Sequence, residues 1–106
     1  MLVMIEKHKY GFALRIKSGW NAGELSTNQM GYVNHWPTED QCKAWATDTG
    51  YEVIRTHGLY RKLELCKGNG RFYVFNFAGE YLFTEYNFKK EETAKEIIDW
   101  HYEVVE

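Results

Sequence analysis

Arg71-Phe-Tyr-Val-Phe-Asn-Phe-Ala-Gly-Glu-Tyr-Leu-Phe-Thr-Glu-Tyr86 is the stretch from which the fold is read. Ala78-Gly79 divides it into two extended runs, Arg71 to Phe77 and Glu80 to Tyr86, the pattern of a tight hairpin. The first run is apolar on both faces, with Phe72 and Val74 on one and Tyr73, Phe75 and Phe77 on the other. A strand patterned this way is a central one with protein on both sides more often than a solvent-facing one. Eight aromatic residues fall between Phe72 and Phe88. That exceeds what one face of one hairpin needs, so the surplus is either core or a surface for a partner.

Working back toward the N-terminus, Lys67-Gly68-Asn69-Gly70 is a turn between strands. It is preceded by a strand over Leu59 to Cys66, a turn at Thr56-His57-Gly58 and a strand over Tyr51 to Arg55. Thr38 opens a helix, with Gln41 completing a capping box. Cys42, Trp45, Ala46 and Thr49 recur at helical spacing, and Gly50 supplies the left-handed terminating position. Tyr32 to Trp36 reads as a short strand. Before it lie fourteen residues, Ser18 to Gly31, rich in Gly, Asn and Ser. A loop of that length tends to be functional. Phe12, Leu14 and Ile16 alternate with Ala13, Arg15 and Lys17, as in a half-buried strand.

Toward the C-terminus, a helix is expected over Lys89 to Trp100, with Asn87 as its cap and Glu91–Lys95 as a favourable pair one turn apart. Tyr32, a helix, then Tyr51-Glu-Val-Ile54 has a counterpart in Tyr81, a helix, then Tyr102-Glu-Val-Val105. This candidate ββαβ pseudo-repeat would make Tyr102 to Val105 a strand. The elements together give an α+β fold in one domain over residues 1–106. Its expected form is an antiparallel, twisted sheet of five to six strands with two helices packed on one face.

Composition narrows the function classes. The chain has 106 residues, two cysteines and an aromatic fraction of 17%. The net charge of −2 conceals a balance of +3 over residues 1–71 and −5 over residues 72–106. No run approaches the ~18 apolar residues of a membrane span. Met1 to Ile5 is apolar but stops at Glu6-Lys7, too short for a secretory leader, so a cytoplasmic protein with reduced thiols is expected.

Chemistry-bearing constellations are sparse. His8, His35, His57, His101, Cys42 and Cys66 show no metal-ligand spacing, so no metal and no cofactor are expected. Cys42 lies near a helix N-terminus, which favours a thiolate. It also begins the apolar stripe with Trp45 and Ala46, which favours a core position. Glu39/Asp40 and Glu91/Glu92 are accounted for by the helix dipole. Nucleic acid is disfavoured. Arg55, Arg61, Lys62, Lys67 and Arg71 form the only basic concentration, and Glu80 and Glu85 on the following strand would repel phosphate.

The expected function is therefore a small non-catalytic protein-binding module. Trp, Tyr and Arg are the residues that anchor interfaces. Candidate partner contacts are Trp20 with Asn21 in the long loop, Trp36 beside Pro37, Tyr60 with Arg61, and Tyr81 and Phe83 on the second hairpin strand. A second copy of the chain is an alternative occupant of that surface. In composition alone, the chain resembles small phage-encoded inhibitor proteins: short, aromatic-rich, mildly acidic and motif-free. The resemblance covers no motif and carries over no residue. It implies an inhibitor of a host defence system, of the anti-CRISPR or anti-restriction type, acting in the host cytoplasm by occluding a protein surface. The alternative expectation is a small-molecule or nucleotide-binding, sponge-like protein with an aromatic pocket under the 18–31 loop.

Overall fold

The computed structural model describes residues 1–105. Among them are two helices and seven strands in two sheets, one of three strands and one of four, so the α+β class holds. The arrangement differs from a single sheet of five to six strands carrying both helices. Alternating apolar residues mark strands, but strand pairing is decided by contacts distant in sequence. The chain divides into two compact units, Met1–Arg55 and Thr56–Glu106.

In the first unit, β1 (Leu2–His8) and β2 (Gly11–Ile16) form an antiparallel hairpin. β3 (Glu52–Val53) pairs with β1 in parallel, giving the order β2-β1-β3. The right-sized crossover between parallel strands is a helix, here α1 (Glu39–Asp48). Its N-terminus is capped as the sequence predicts: Thr38 Oγ1 accepts a hydrogen bond from the Gln41 amide at 3.2 Å. Cys42 and Ala46 of α1 pack with Val3 and Leu14, flanked by Ile5, Phe12, Trp36, Tyr51 and Val53. Trp45 stays partly exposed and lies between Trp36 and Tyr51, with ring centroids 5.0 and 6.0 Å away. The stripe is thus narrower than its spacing suggests, and Thr49 ends α1 as its C-cap.

The second unit is a meander, β4 (Arg55–Tyr60), β5 (Leu63–Lys67), β6 (Phe72–Phe75) and β7 (Tyr81–Leu82), hydrogen-bonded in that order. α2 (Glu91–Val105) follows. The predicted strand from Leu59 to Cys66 is in fact a reversal. Arg61 and Lys62 take φ of 50° and 67° and turn the chain between β4 and β5. Consecutive positive φ values match the twist of a two-residue hairpin. The turns at Gly68-Asn69-Gly70 and Ala78-Gly79 form where expected. Phe83 (φ 55°) leaves the second strand of the later hairpin with only two residues.

α2 begins later than predicted and continues through Val105, so Tyr102 is helical and not the start of a strand. Ala94, Ile98 and Tyr102 recur every four residues. Ala94 and Ile98 are buried with Leu63, Leu65, Val74 and Phe88, and Tyr102 packs beside them. Burial of a full aliphatic side chain is worth roughly 1.5–3 kcal/mol, enough to override the strand-like composition of the C-terminal residues.

β6 is buried on both faces. Val74 faces the α2 cluster, while Tyr73 and Phe75 on the alternate face are 3% and 1% exposed. The aromatic surplus is therefore largely core, and Phe77 (97% exposed) is the exception at the hairpin tip. No helix among the described residues is long and apolar enough to cross a membrane.

Candidate interaction surface

β2 lies at the edge of its sheet, and an exposed edge is a liability unless it is covered. Residues 18–36 supply the cover as an arm. Its first part turns through Gly19 and Gly23 (φ 90° and 96°), with the Gly19 and Asn21 carbonyls accepting from the Ala22 and Glu24 amides. The chain then runs beside β2. The Ile16 amide donates to Glu24 O and the Ser26 amide to Leu14 O, both at 2.8 Å, and Gly23 donates back to Ile16 O at 2.7 Å. Arg15 holds the bend from below: its guanidinium pairs with Glu6 on β1 and donates to Gly23 O at 2.9 Å.

A protruding turn follows. Thr27 pairs with Val33, and Asn28 Oδ1 accepts from the amides of Met30 (2.9 Å) and Tyr32 (3.1 Å). Asn is favoured here because its short side chain satisfies backbone donors two residues on. Asn34 Nδ2 donates to the buried Ser26 Oγ at the neck of the turn. The arm rejoins β2 at Trp36, whose amide and carbonyl both bond to Phe12 at 3.0 and 2.9 Å. The predicted strand from Tyr32 to Trp36 is thus reduced to isolated bridges at Val33 and Trp36. The 18–31 segment extends the sheet edge by backbone bonding.

Three large side chains of the arm stay out of the core. Trp20 is 92% exposed, Met30 80% and Tyr32 66%. Asn21, next to Trp20, keeps its Oδ1 buried without a hydrogen-bond partner. Trp36 is half-buried against α1. The sequence signal for Trp20 was its isolation in a Gly-rich loop. Met30 and Tyr32 were not among the predicted contacts; the Asn28-Gln-Met-Gly-Tyr32 turn that presents them is the signal that would have marked them.

The other predicted contacts are engaged within the second unit. The Tyr60 hydroxyl donates to the Asp99 carboxylate at 2.9 Å, and Arg61 Nε sits 2.7 Å from Asp99 Oδ1. Arg61 also lies over the Tyr102 ring, and Lys95 over the Tyr60 ring. Lys95 and His57 both contact Glu91, at 2.9 and 3.1 Å. These contacts brace the β4–β5 hairpin against α2. Tyr81 is half-buried beside Tyr73 and Phe75, with centroids 5.8 and 5.4 Å away. Phe83 is half-buried against Tyr86, Phe88 and His101.

Electrostatics separate the two units differently from the sequence halves. Met1–Arg55 carries six Lys/Arg and six Asp/Glu, whereas residues 56–106 carry seven and nine. The arm itself has one acidic residue, Glu24, and no Lys or Arg. Cys42 is fully buried; that burial, and then the negative charge of Glu39, push its thiol up to about 11. It is a neutral thiol at physiological pH, the opposite of an activated nucleophile.

Comparison with protein-family models, with curated proteins and with solved structures finds no match to this chain.

Proposed function

We propose that this chain is a non-catalytic protein-binding module whose contact surface is the 18–36 arm, centred on Trp20. The observation that carries the reading is a tryptophan 92% exposed on a segment whose backbone is hydrogen-bonded on both sides of it. A rigid support matters because a partner then gains the indole's contact area without the cost of ordering a loop.

Composition supports the same reading. The arm holds three Gly, three Asn, two Ser, two Trp and one Tyr, residue types that antibody loops use for protein recognition. Trp and Tyr give large contact areas with few rotatable bonds, and Asn and Ser give adaptable hydrogen bonds. The lack of Lys and Arg argues against a nucleic-acid backbone as the target, since phosphate contacts dominate such affinity. The edge-on course of the arm favours a projecting surface over the roof of a ligand pocket. Occlusion of a target protein's surface, as an inhibitor would do, requires only such contacts.

Photo-crosslinking tests the proposal directly. A photoreactive aromatic residue placed at Trp20, Met30 or Tyr32 should yield one discrete adduct with the same protein from cells that contain the natural target. The same probe at Phe77 or Leu59, exposed but outside the arm, should not. Adducts only from Phe77 or Leu59 would move the surface elsewhere. Adducts with nucleic acid, or none from any position, would sink the reading.

A further inference from the structure

The stem of the arm brings together two histidines that are 27 positions apart in sequence. His8 ends β1, and His35 lies just before the Trp36 bridge to Phe12. His35 Nε2 and His8 Nδ1 are 2.7 Å apart, with ring centroids separated by 4.6 Å and planes inclined by 48°. Both side chains are half-buried, which leaves the pair open to solvent on one side. Tyr10 packs edge-on against His35 at 5.5 Å. In the hydrogen-bonded state one ring nitrogen must donate and the other accept. The same two nitrogens are also the commonest protein ligands for late first-row metals.

We propose that His8 and His35 form a chelate site for a divalent transition metal ion that prefers imidazole, with Cu(II) bound most tightly. The spacing carries the choice. Two nitrogens each about 2.0 Å from a metal stand about 2.8 Å apart when adjacent in a square-planar arrangement, and about 3.3 Å apart in a tetrahedral one. The observed 2.7 Å is close to the first value. To hold a metal, each ring would tip so that its lone pair meets the other's at a common point. Tetragonal nitrogen sites suit Cu(II) and Ni(II), and Cu(II) heads the intrinsic affinity order.

The surroundings agree with an ion held by imidazole and not by charge. No third His, Cys, Asp or Glu completes a cluster among the described residues, so the remaining positions fall to water. Glu6, the nearest carboxylate along β1, is paired with Arg15. Lys7 and Lys9 flank His8 in sequence, and the Lys9 ammonium lies 5.0 Å from the centre of the Tyr10 ring. Hard cations such as Mg²⁺ and Ca²⁺, which need several oxygen ligands, have nothing to bind here.

The site also has a structural consequence. The stem is joined to β2 through the Phe12–Trp36 bonds and to β1 through the contact of His35 with His8. A metal bridging the two histidines would fasten the stem of the arm more tightly.

The full chain, acetylated at its N-terminus to block the α-amino group, should be titrated with Cu(II) in mildly alkaline, non-chelating buffer. The expected result is one saturable site, with Ni(II) and Zn(II) weaker and Mg²⁺ silent. The electron paramagnetic resonance spectrum should show coupling to two nitrogens. His8→Gln and His35→Gln should each weaken binding at least tenfold. Glutamine can keep the side-chain hydrogen bond while lacking an imidazole ligand, so the fold, checked by circular dichroism, should persist. His57→Gln and His101→Gln should bind as the wild type does. Wild-type protein that shows no saturable Cu(II) site at micromolar metal would overturn the proposal. So would a spectrum with one nitrogen, or unchanged binding in folded His8→Gln. If either glutamine variant fails to fold, the nitrogen count on the wild type decides alone.

Discussion

Gly11→Ala tests how the arm is held. Gly11 has φ +132°, and a Cβ built there would lie 2.4 Å from Trp36 O and 3.2 Å from its carbonyl carbon. Both are backbone atoms, so no side chain can swing aside. Restoring an ordinary contact requires the Trp36 carbonyl to withdraw by about 1 Å, which breaks its 2.9 Å bond from the Phe12 amide and carries the reciprocal 3.0 Å bond out of range with it. Two effects add. A non-glycine residue in a sparsely populated backbone region costs about 1–3 kcal/mol. Two lost backbone hydrogen bonds cost about 0.5–1.5 kcal/mol each.

Gly50→Ala provides the control. Gly50 has φ +90° with nothing within 4 Å of a Cβ placed there, so only the backbone cost applies. Gly11→Ala should therefore destabilise the protein by about 1–3 kcal/mol more than Gly50→Ala, the value of the two hydrogen bonds. Urea unfolding followed by far-ultraviolet circular dichroism measures the difference in midpoint at constant slope. Hydrogen exchange should show the Phe12 and Trp36 amides losing protection in Gly11→Ala alone. Equal losses in the two variants, with both amides still protected, would refute the claim that close approach at Gly11 fastens the arm.

Trp20→Ala should change stability by no more than about 0.5 kcal/mol, as for other exposed positions, while Ile98→Ala, at a side chain with no exposure, should cost about 2–5 kcal/mol in the same urea assay. Cys42 should resist a soluble disulfide reagent in the native state and react only on unfolding, because it is fully buried with its thiol pushed up to about 11; rapid native labelling of Cys42, located by mass spectrometry, would contradict that. Hydrogen bonds from Lys95 and then His57 hold the Glu91 carboxyl below its ordinary value of 4.5. Its folded-state pKa is depressed, so its contribution is full above 4.5 and fades as the pH falls through the folded value. The stability gap between wild type and Glu91→Gln should thus narrow in acid, and urea midpoints showing a gap independent of pH would remove Glu91 from the acid limb.

Most local signals were legible in the sequence, although the turn expected at Thr56-His57-Gly58 lies inside β4; signals made by distant contacts were not. Thr38 with Gln41, Gly50, Gly68-Asn69-Gly70 and Ala78-Gly79 each marked its turn or cap because the backbone requirement and the residue that meets it are neighbours. Arg61-Lys62 concealed a turn of the same kind: neither residue is favoured at positive φ, and the contacts of Arg61 and Tyr60 with Asp99 on α2 offset the local preference. The end of α2 concealed a helix for the same reason, because Tyr102 continues a stripe whose value lies in the buried cluster it joins.

The candidate surface follows the same division. The aromatic run from Phe72 to Phe88 drew attention as a partner surface, yet its strand β6 is covered on both faces. The residues that remain for a partner sit instead where an edge is covered by backbone bonding. An arm that closes an edge largely through its main chain leaves several of its large side chains off the sheet. Trp20, Met30 and Tyr32 are exposed for that reason, and the same covering brings His35 to His8. Sequence order places these five residues in a loop and at a strand end with nothing in common. The pairing of the arm with β2 places all five, so loosening the stem at Gly11 should disturb the proposed chelate and the proposed contact surface together.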